Sequence, residues 1–393
     1  MKRDTELAHL ARETEGFVNP PVVRGSTVIF NTMAELDSAL DDHARDSPYS
    51  YGRMGTPTER ALENALAQLD SAYGAVVLES GLAAVSTAIM SSVSAGEHIL
   101  VTDTCYGPTR ELCDGLLARF GVETEYYDPL LCQEGKPGIE GLLRKNTRIV
   151  YMESPGSRTF EMQDVPAIAA TCRAHGITTI TDNTWATPLG FRPIEHGVDL
   201  VVQSLTKYIA GHSDVMLGVI SACDESSWQR VKDTALEMGH ACSPDDAWLG
   251  LRGLRSLSAR LDRHEASARE IVEWLQMQPE VDQVLYPALR QDPGHRIFTR
   301  DFDRATGLFG VVLHTHDREA VRRMVEGLDL FQMGYSWGGF ESLLIPLHPD
   351  RAVRSASESP YSGAILRLSI GLEDAQDLIE DLREGFKRLS KTS

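Results

Sequence analysis

Lysine is scarce in this chain, and one of its seven lysines stands where an amine can do chemistry. Lys207 closes the apolar run Leu200-Val-Val-Gln-Ser-Leu-Thr, which reads as a strand ending on the amine. The other six (Lys2, Lys136, Lys145, Lys232, Lys387, Lys391) sit among polar, glycine-containing or terminal residues. A partly desolvated lysine gives up its proton more readily, and the neutral amine can attack a carbonyl to form a Schiff base. Taken alone, such a lysine would as readily snorkel to water. Its neighbours argue for chemistry. Ile177-Thr-Thr-Ile-Thr-Asp182 is a β-branched run that predicts a buried strand ending in a carboxylate, and a carboxylate there needs a partner. Ala75-Val-Val-Leu-Glu-Ser80-Gly81-Leu82 predicts a strand, a tight turn and a helix start. The N–H groups of Gly81 and Leu82 would then point out of the helix N-terminus, whose dipole favours a dianion by a few tenths to about 2 kcal/mol. Ser204 and Thr206, alternating on the strand beside Lys207, add two hydroxyl donors.

An amine, a carboxylate and a dianion cradle match the aldehyde, ring nitrogen and phosphate of pyridoxal phosphate, where an aspartate keeps the ring nitrogen protonated and the ring an electron sink. Further runs keep company with these: Tyr51-Gly-Arg53-Met-Gly-Thr-Pro-Thr58, Ser80-Gly-Leu-Ala-Ala84, Asp103-Thr-Cys-Tyr106-Gly, Glu153-Ser-Pro-Gly-Ser157, Asp182-Asn-Thr-Trp185, Ser204-Leu-Thr-Lys207-Tyr, Gly211-His-Ser-Asp214 and Arg367-Leu-Ser-Ile-Gly-Leu-Glu-Asp374. In this order and spacing, over nearly the whole chain, the sequence resembles the fold-type I pyridoxal-phosphate enzymes of cysteine and methionine metabolism. The resemblance implies that Lys207 carries the cofactor and moves protons, with Asp182 at the ring nitrogen. It implies that Tyr106 stacks on the ring and assists catalysis, and that Arg367 binds the substrate α-carboxylate. Tyr51 and Arg53 resemble residues that reach the cofactor phosphate and substrate of the neighbouring subunit, so the resemblance implies a homotetramer built from dimers that share active sites.

The run Gly334-Tyr-Ser336-Trp337-Gly-Gly-Phe-Glu-Ser342 bears on the reaction. It resembles bacterial cystathionine β-lyases, whereas γ-acting relatives carry a leucine and no tryptophan beside the paired glycines. Ser336 and Trp337 are therefore expected at the substrate. The resemblance implies β-elimination of an amino-acid substrate, L-cystathionine or other cysteine S-conjugates, to pyruvate and ammonia. A γ-synthase or γ-lyase using the same residues is the alternative. An idle cofactor-binding protein fits poorly with the joint presence of Lys207, Asp182, Tyr106 and Arg367.

The elements that must position these residues read as a layered α/β fold. A turn-rich arm spans 1–57, with a polar stretch over 41–48 and too little periodicity for its own core. Over 58–253, helices and strands alternate: helix 58–70, strand 75–79, helix 82–93, strand 98–102, helix 108–120, strand 148–153, helix 165–175 and strands 177–181 and 199–204. That alternation predicts a mainly parallel sheet flanked by helices, as in the fold-type I transferases. From 254 to 393, helix 258–278, strand 307–314 and helix 374–390 predict a smaller α+β unit, with a polar loop over 355–362. Arg367 alternates with Leu366 and Leu368 and so faces away from the apolar side of its strand.

Composition excludes other classes. A formal charge of -19 over 393 residues argues against binding a nucleic-acid backbone. No apolar run reaches membrane-spanning length, so no membrane partner is expected. Six cysteines without a C-x-x-C pair, and no secretory leader, predict reduced thiols and a cytoplasmic protein. Cys105 beside Tyr106 has no His/Asn companion and reads as small buried filler. His314-Thr-His316 lacks a third ligand, so no metal site is expected. Neither G-x-G-x-x-G nor a P-loop is present.

Overall fold

The computed structural model describes residues 2–12, 16–41, 47–132, 136, 138–347, 356, 361 and 363–389. Residues 42–46 of the expected polar stretch and most of the 355–362 loop lie outside them. Seven strands form one sheet: β1 (Gly74–Leu78), β2 (His98–Thr102), β3 (Glu123–Tyr127), β4 (Thr147–Glu153), β5 (Thr178–Asp182), β6 (Leu200–Ser204) and β7 (Gly218–Ala222). Their order is β1-β7-β6-β5-β4-β2-β3. The five from β6 to β3 pair in parallel, while β7 runs antiparallel to both β1 and β6. Both faces are covered. Ile149 and Tyr151 join one apolar cluster and Val150 and Met152 another, all fully buried, which is why these strands read as continuous apolar runs. Each such side chain contributes roughly 1.5–3 kcal/mol by leaving water.

Two of these strands give little sequence signal. Glu123-Thr-Glu-Tyr-Tyr127 sits at the sheet edge with only its last residue buried, so it has no apolar run to notice. Gly218-Val-Ile-Ser-Ala222 is buried throughout, but its two large apolar residues are flanked by Gly, Ser and Ala. Its first residue is constrained: a β-carbon on Gly218 would lie 2.1 Å from the Ser80 carbonyl oxygen. The turn that opens the helix Gly81–Met90 therefore packs directly on β7. Helices Glu225–Glu237 and Pro244–Leu254 also go beyond the sequence expectation, and the second packs on the helix Pro57–Leu69. That helix starts with a full capping box, Thr56 and Glu59 satisfying each other's backbone N–H groups.

A second, antiparallel sheet contains β8 (Val281–Leu285), β9 (Leu308–Leu313), β10 (Leu343–Leu347) and β11 (Ile365–Ser369), in the order β10-β11-β9-β8. Helices Leu257–Leu275 and Ala375–Leu389 cover it, with Trp274 stacked on Phe386 at 5.7 Å between ring centroids. Leu100 and Val150 of the large sheet share one apolar cluster with Phe309 and Leu368 of the small one. The two sheets are thus joined by continuous packing. Among the described residues, no helix is long and apolar enough to cross a membrane.

Candidate active site

The carboxyl ends of parallel strands are where open α/β sheets bind ligands, and here β4, β5 and β6 end around a cavity of about 540 Å³. β5 ends on Asp182, whose register partner on β4 is Glu153. Thr184 fastens this corner: its N–H donates to Asp182 at 2.9 Å, and its hydroxyl accepts from the Ser204 N–H at 2.8 Å. Burial raises the pKa of Asp182, against the Thr184 hydrogen bonds and the Lys207 charge. Burial, then the neighbouring Asp182 charge, raise Glu153 well above the carboxylate range, although it accepts from the Tyr106 N–H at 2.7 Å. Two buried acids side by side favour a cation or a shared proton between them.

Lys207 corrects one expectation. β6 stops at Ser204, and Lys207 follows in a turn in which its N–H donates to the Ser204 carbonyl at 3.2 Å. The physical cause is Thr206, which is bound on both sides by Leu217. Its hydroxyl accepts from the Leu217 N–H at 2.9 Å and donates to the Leu217 carbonyl at 3.2 Å, while its own N–H also donates to that carbonyl. Thr206 lines the cavity, yet its hydroxyl proton is already committed. The Lys207 amine donates to the Ser336 hydroxyl at 2.7 Å and lies 5.5 Å from the Trp337 ring centroid. Burial lowers its pKa from 10.5 to about 8, helped by Arg367 and opposed by Asp182.

The turn and helix start expected at Ser80-Gly81 are present and border the cavity. Ser80 caps its helix by accepting the Ala83 N–H at 3.1 Å. Gly81 and Leu82, whose N–H groups have no acceptor within the helix, line the cavity. Glycine is required at 81: a β-carbon there would lie 2.6 Å from the β-carbon of Ser204. Arg367 on β11 donates to the Ser336 carbonyl at 2.9 Å, but its Nε is buried with no hydrogen-bond partner among the described residues. An orphaned guanidinium N–H in a cavity calls for an anion. Burial, reinforced by the charge of Arg158, lowers Arg367 to about 10.

Tyr106 follows β2, lines the cavity and is 44 % exposed at its mouth; burial and the Asp182 and Glu153 charges raise its pKa. Ser336 and Trp337 line it as well. Tyr51 and Arg53 are not among the residues that line this cavity. Tyr51 is 48 % exposed, and Arg53 donates to the Leu236 carbonyl at 2.8 Å. Sequence reasoning missed Thr184 as a clamp, Glu153 as a buried acid and Arg158 as a second cavity arginine. All three stand within or directly beside quoted motifs, which is the signal that could have found them. Cys105 is buried with its thiol pKa raised, so it is inert filler rather than a nucleophile.

Asp182 accepts, among the described residues, only from Thr184; its need for a cationic partner, the Lys207 amine and the Gly81–Leu82 amides together fit pyridoxal phosphate. Over residues 4–387 the chain matches the model of the Cys/Met metabolism PLP-dependent enzymes. The chain belongs to this family. Pyridoxal phosphate is its cofactor. A putative cystathionine beta-lyase of Rhizobium johnstonii is 45% identical, covering 98% of this chain and 96% of its own. Cystathionine beta-lyase MetC of Escherichia coli is 38% identical, covering 99% of both. An L-alanine/L-glutamate racemase of Wolbachia pipientis wMel is 36% identical over 99% of this chain and 98% of its own. The crystal structure of cystathionine gamma synthase from Xanthomonas oryzae pv. oryzae, in complex with aminoacrylate and cysteine, superposes with a TM-score of 0.87 at 32% identity, covering 99% and 98%. One fold therefore carries differently named activities, and the family alone does not select among them.

Proposed function

We propose that this enzyme is a carbon–sulfur lyase that cleaves L-cystathionine by β-elimination to homocysteine, pyruvate and ammonia, and that it accepts other cysteine S-conjugates. The observation that carries the reading is the setting of the Lys207 amine between the Ser336 hydroxyl and the Trp337 ring. Relatives named for this activity at 45% and 38% identity support it. When bound, the cofactor supplies the carbonyl that condenses with amines and the ring that accepts electrons from Cα.

The chain's own residues supply the rest. Gly81 and Leu82 N–H groups, with the Ser204 hydroxyl beside them, would hold the dianion. Asp182 would hold the positive charge of the ring nitrogen, and Tyr106 would pack against the ring. Arg367 offers its orphaned Nε to the α-carboxylate. Lys207, whose pKa of about 8 leaves an appreciable neutral fraction near neutrality, takes the Cα proton at Nζ. Ser336 orients that amine, and Trp337 walls the cavity beside it. β-Elimination needs only this one carbon deprotonation before the thiol departs, whereas γ-chemistry needs a second at Cβ.

The test is a product assay on L-cystathionine. Pyruvate, ammonia and homocysteine are expected. Dominant 2-oxobutyrate with cysteine, or joining of cysteine to an activated homoserine ester with little pyruvate, would replace this reaction with a γ-acting one. We also infer a homotetramer of dimers in which Tyr51 and Arg53 serve the neighbouring subunit's site. Mixing inactive Arg53→Ala with inactive Lys207→Ala should then restore activity, since one site of each heterodimer would be wild type. No recovery despite proven subunit exchange would put the arm in its own subunit's site.

A further inference from the structure

Two arginines, Arg367 and Arg158, line the cavity. Arg367 alone can hold an α-carboxylate through paired hydrogen bonds. Arg158 lines the same cavity, and the loop that carries it is built to keep it there. Ser157 N–H donates to the Thr104 carbonyl at 2.7 Å, Gly156 N–H to the Glu161 carbonyl at 2.9 Å, and Phe160 N–H to the Gly156 carbonyl at 3.1 Å. At the tip, Arg158 adopts φ +74°, a left-handed conformation that a long side chain rarely takes. Its guanidinium rests against the Tyr106–Gly107 corner, where a β-carbon on Gly107 would lie 3.2 Å from Nη2. A strained residue on an anchored loop is a device for aiming a side chain.

We propose that Arg158 is a specificity-determining residue that binds an anionic group on the side chain of the amino-acid substrate, making the cavity selective for dicarboxylic amino acids over neutral ones. The proposal deepens the lyase reading and rests on it for its kinetic test, because the distal half of cystathionine carries a second carboxylate. Arg158 stands close enough to Arg367 for its charge to lower that residue's pKa, so a ligand with two anionic groups can engage both guanidinium groups at once. Arg158 also acts on Glu153, holding that carboxyl down against its burial. Balancing Glu153 is the competing role, and the experiment separates the two.

Two measurements on cofactor-loaded enzyme decide it, with Arg158→Gln and the charge-retaining Arg158→Lys. In kinetics, Arg158→Gln should lose at least about tenfold more kcat/KM on L-cystathionine than on S-methyl-L-cysteine, through KM, with Arg158→Lys recovering part of it. Equal losses on both substrates would leave Arg158 a partner of Glu153 and overturn the proposal. In equilibrium binding, calorimetry compares the dicarboxylates from succinate to suberate with monocarboxylates of equal length. Wild type should prefer a dicarboxylate by about tenfold or more at one chain length, and Arg158→Gln should abolish the preference. No preference in wild type, or one that survives the substitution, overturns the proposal whatever reaction the enzyme runs. A wild type that binds dicarboxylates through Arg158 yet forms no pyruvate from cystathionine would instead remove the lyase reading alone. Should Arg158→Gln fold poorly by circular dichroism, Arg158→Asn, whose side chain tolerates the left-handed conformation, replaces it.

Discussion

Asp182 and Ser336 line two parts of the wall of one cavity, and their backbones are held in contrasting ways. Asp182 ends a central strand with register partners on both sides, Glu153 on β4 and Val202 on β6. Ser336 belongs to no strand or helix and sits at φ +78°, a conformation that costs a non-glycine residue on the order of 1–3 kcal/mol. Its loop is fastened at separate points: Gly338 N–H donates to Ser369 at 3.2 Å, Leu372 N–H to the Phe340 carbonyl at 2.8 Å and Ser342 N–H to Glu373 at 2.7 Å. Tyr335 beside it is 86 % exposed. The stiff wall holds the groups whose charge must be fixed. The loop wall holds Ser336, which accepts from the Lys207 amine, and Trp337 beside it.

This contrast predicts a gradient of effects. The largest belongs to Lys207, the meeting point of the two walls. Lys207→Ala is expected to lose covalently held cofactor, the associated near-ultraviolet and visible absorption, and at least about 10³-fold in turnover. Borohydride reduction of wild type followed by peptide mapping should label Lys207, and a label on another lysine would remove the assignment. Next comes Asp182→Ala on the stiff wall, which should keep the fold and some cofactor but lose about 3 kcal/mol of transition-state stabilisation, roughly a hundredfold in rate. Near wild-type turnover would show that the buried acid is only structural.

On the loop wall, Trp337→Leu should leave cofactor absorption intact and lower pyruvate formation from cystathionine by about tenfold, in line with the 1–3 kcal/mol that reshaping a packed site costs. Trp337 packs edge-on against Tyr208 at 5.4 Å, so thermal unfolding of the variant must be measured alongside. Equal loss of cofactor and activity would mean that the two walls are not separable. The smallest effect is a stability one. In cofactor-free protein, Lys207 has a pKa of about 8 against 10.5 when unfolded. Between those values the unfolded chain holds a proton that the folded chain lacks, so stability rises with pH across the window, and the cost of burying the cation is fully present below pH about 8. Lys207→Met should therefore raise Tm at pH 7.5, with the difference shrinking toward pH 10. A constant difference would mean that the amine is already solvated.

Much of the stiff wall was legible because its signals are local. Ile177 to Asp182 and Ile149 to Glu153 are runs whose both-faces burial forces apolar or β-branched residues, and the observed strands start and stop within one residue of the expected 177–181 and 148–153. Ser80-Gly81 announces a helix start through its capping chemistry. The edge strand Glu123–Tyr127 was silent because only its last residue is buried, and Gly218–Ala222 because two apolar residues between Gly and Ser-Ala make too short a run to stand out. The strand expected over 199–204 is β6, within one residue at each end, but the turn that places Lys207 beyond it was not legible, since the clasp of Thr206 on Leu217 joins residues eleven apart.

By itself, then, the sequence determined the layered fold, the positions of the amine and the acid, and the capped helix start at Ser80-Gly81, because each is written in a run of neighbouring residues with its own periodicity or cap. Tertiary structure alone decided which groups share the cavity. Ser336 reaches Lys207 from 129 positions away, and Arg158 comes close enough to Arg367 to lower its pKa. Burial set the pKa of Lys207 and Asp182. Desolvation and Coulomb interactions depend on distance in space and on the exclusion of water. Neither quantity exists along a chain until it has folded.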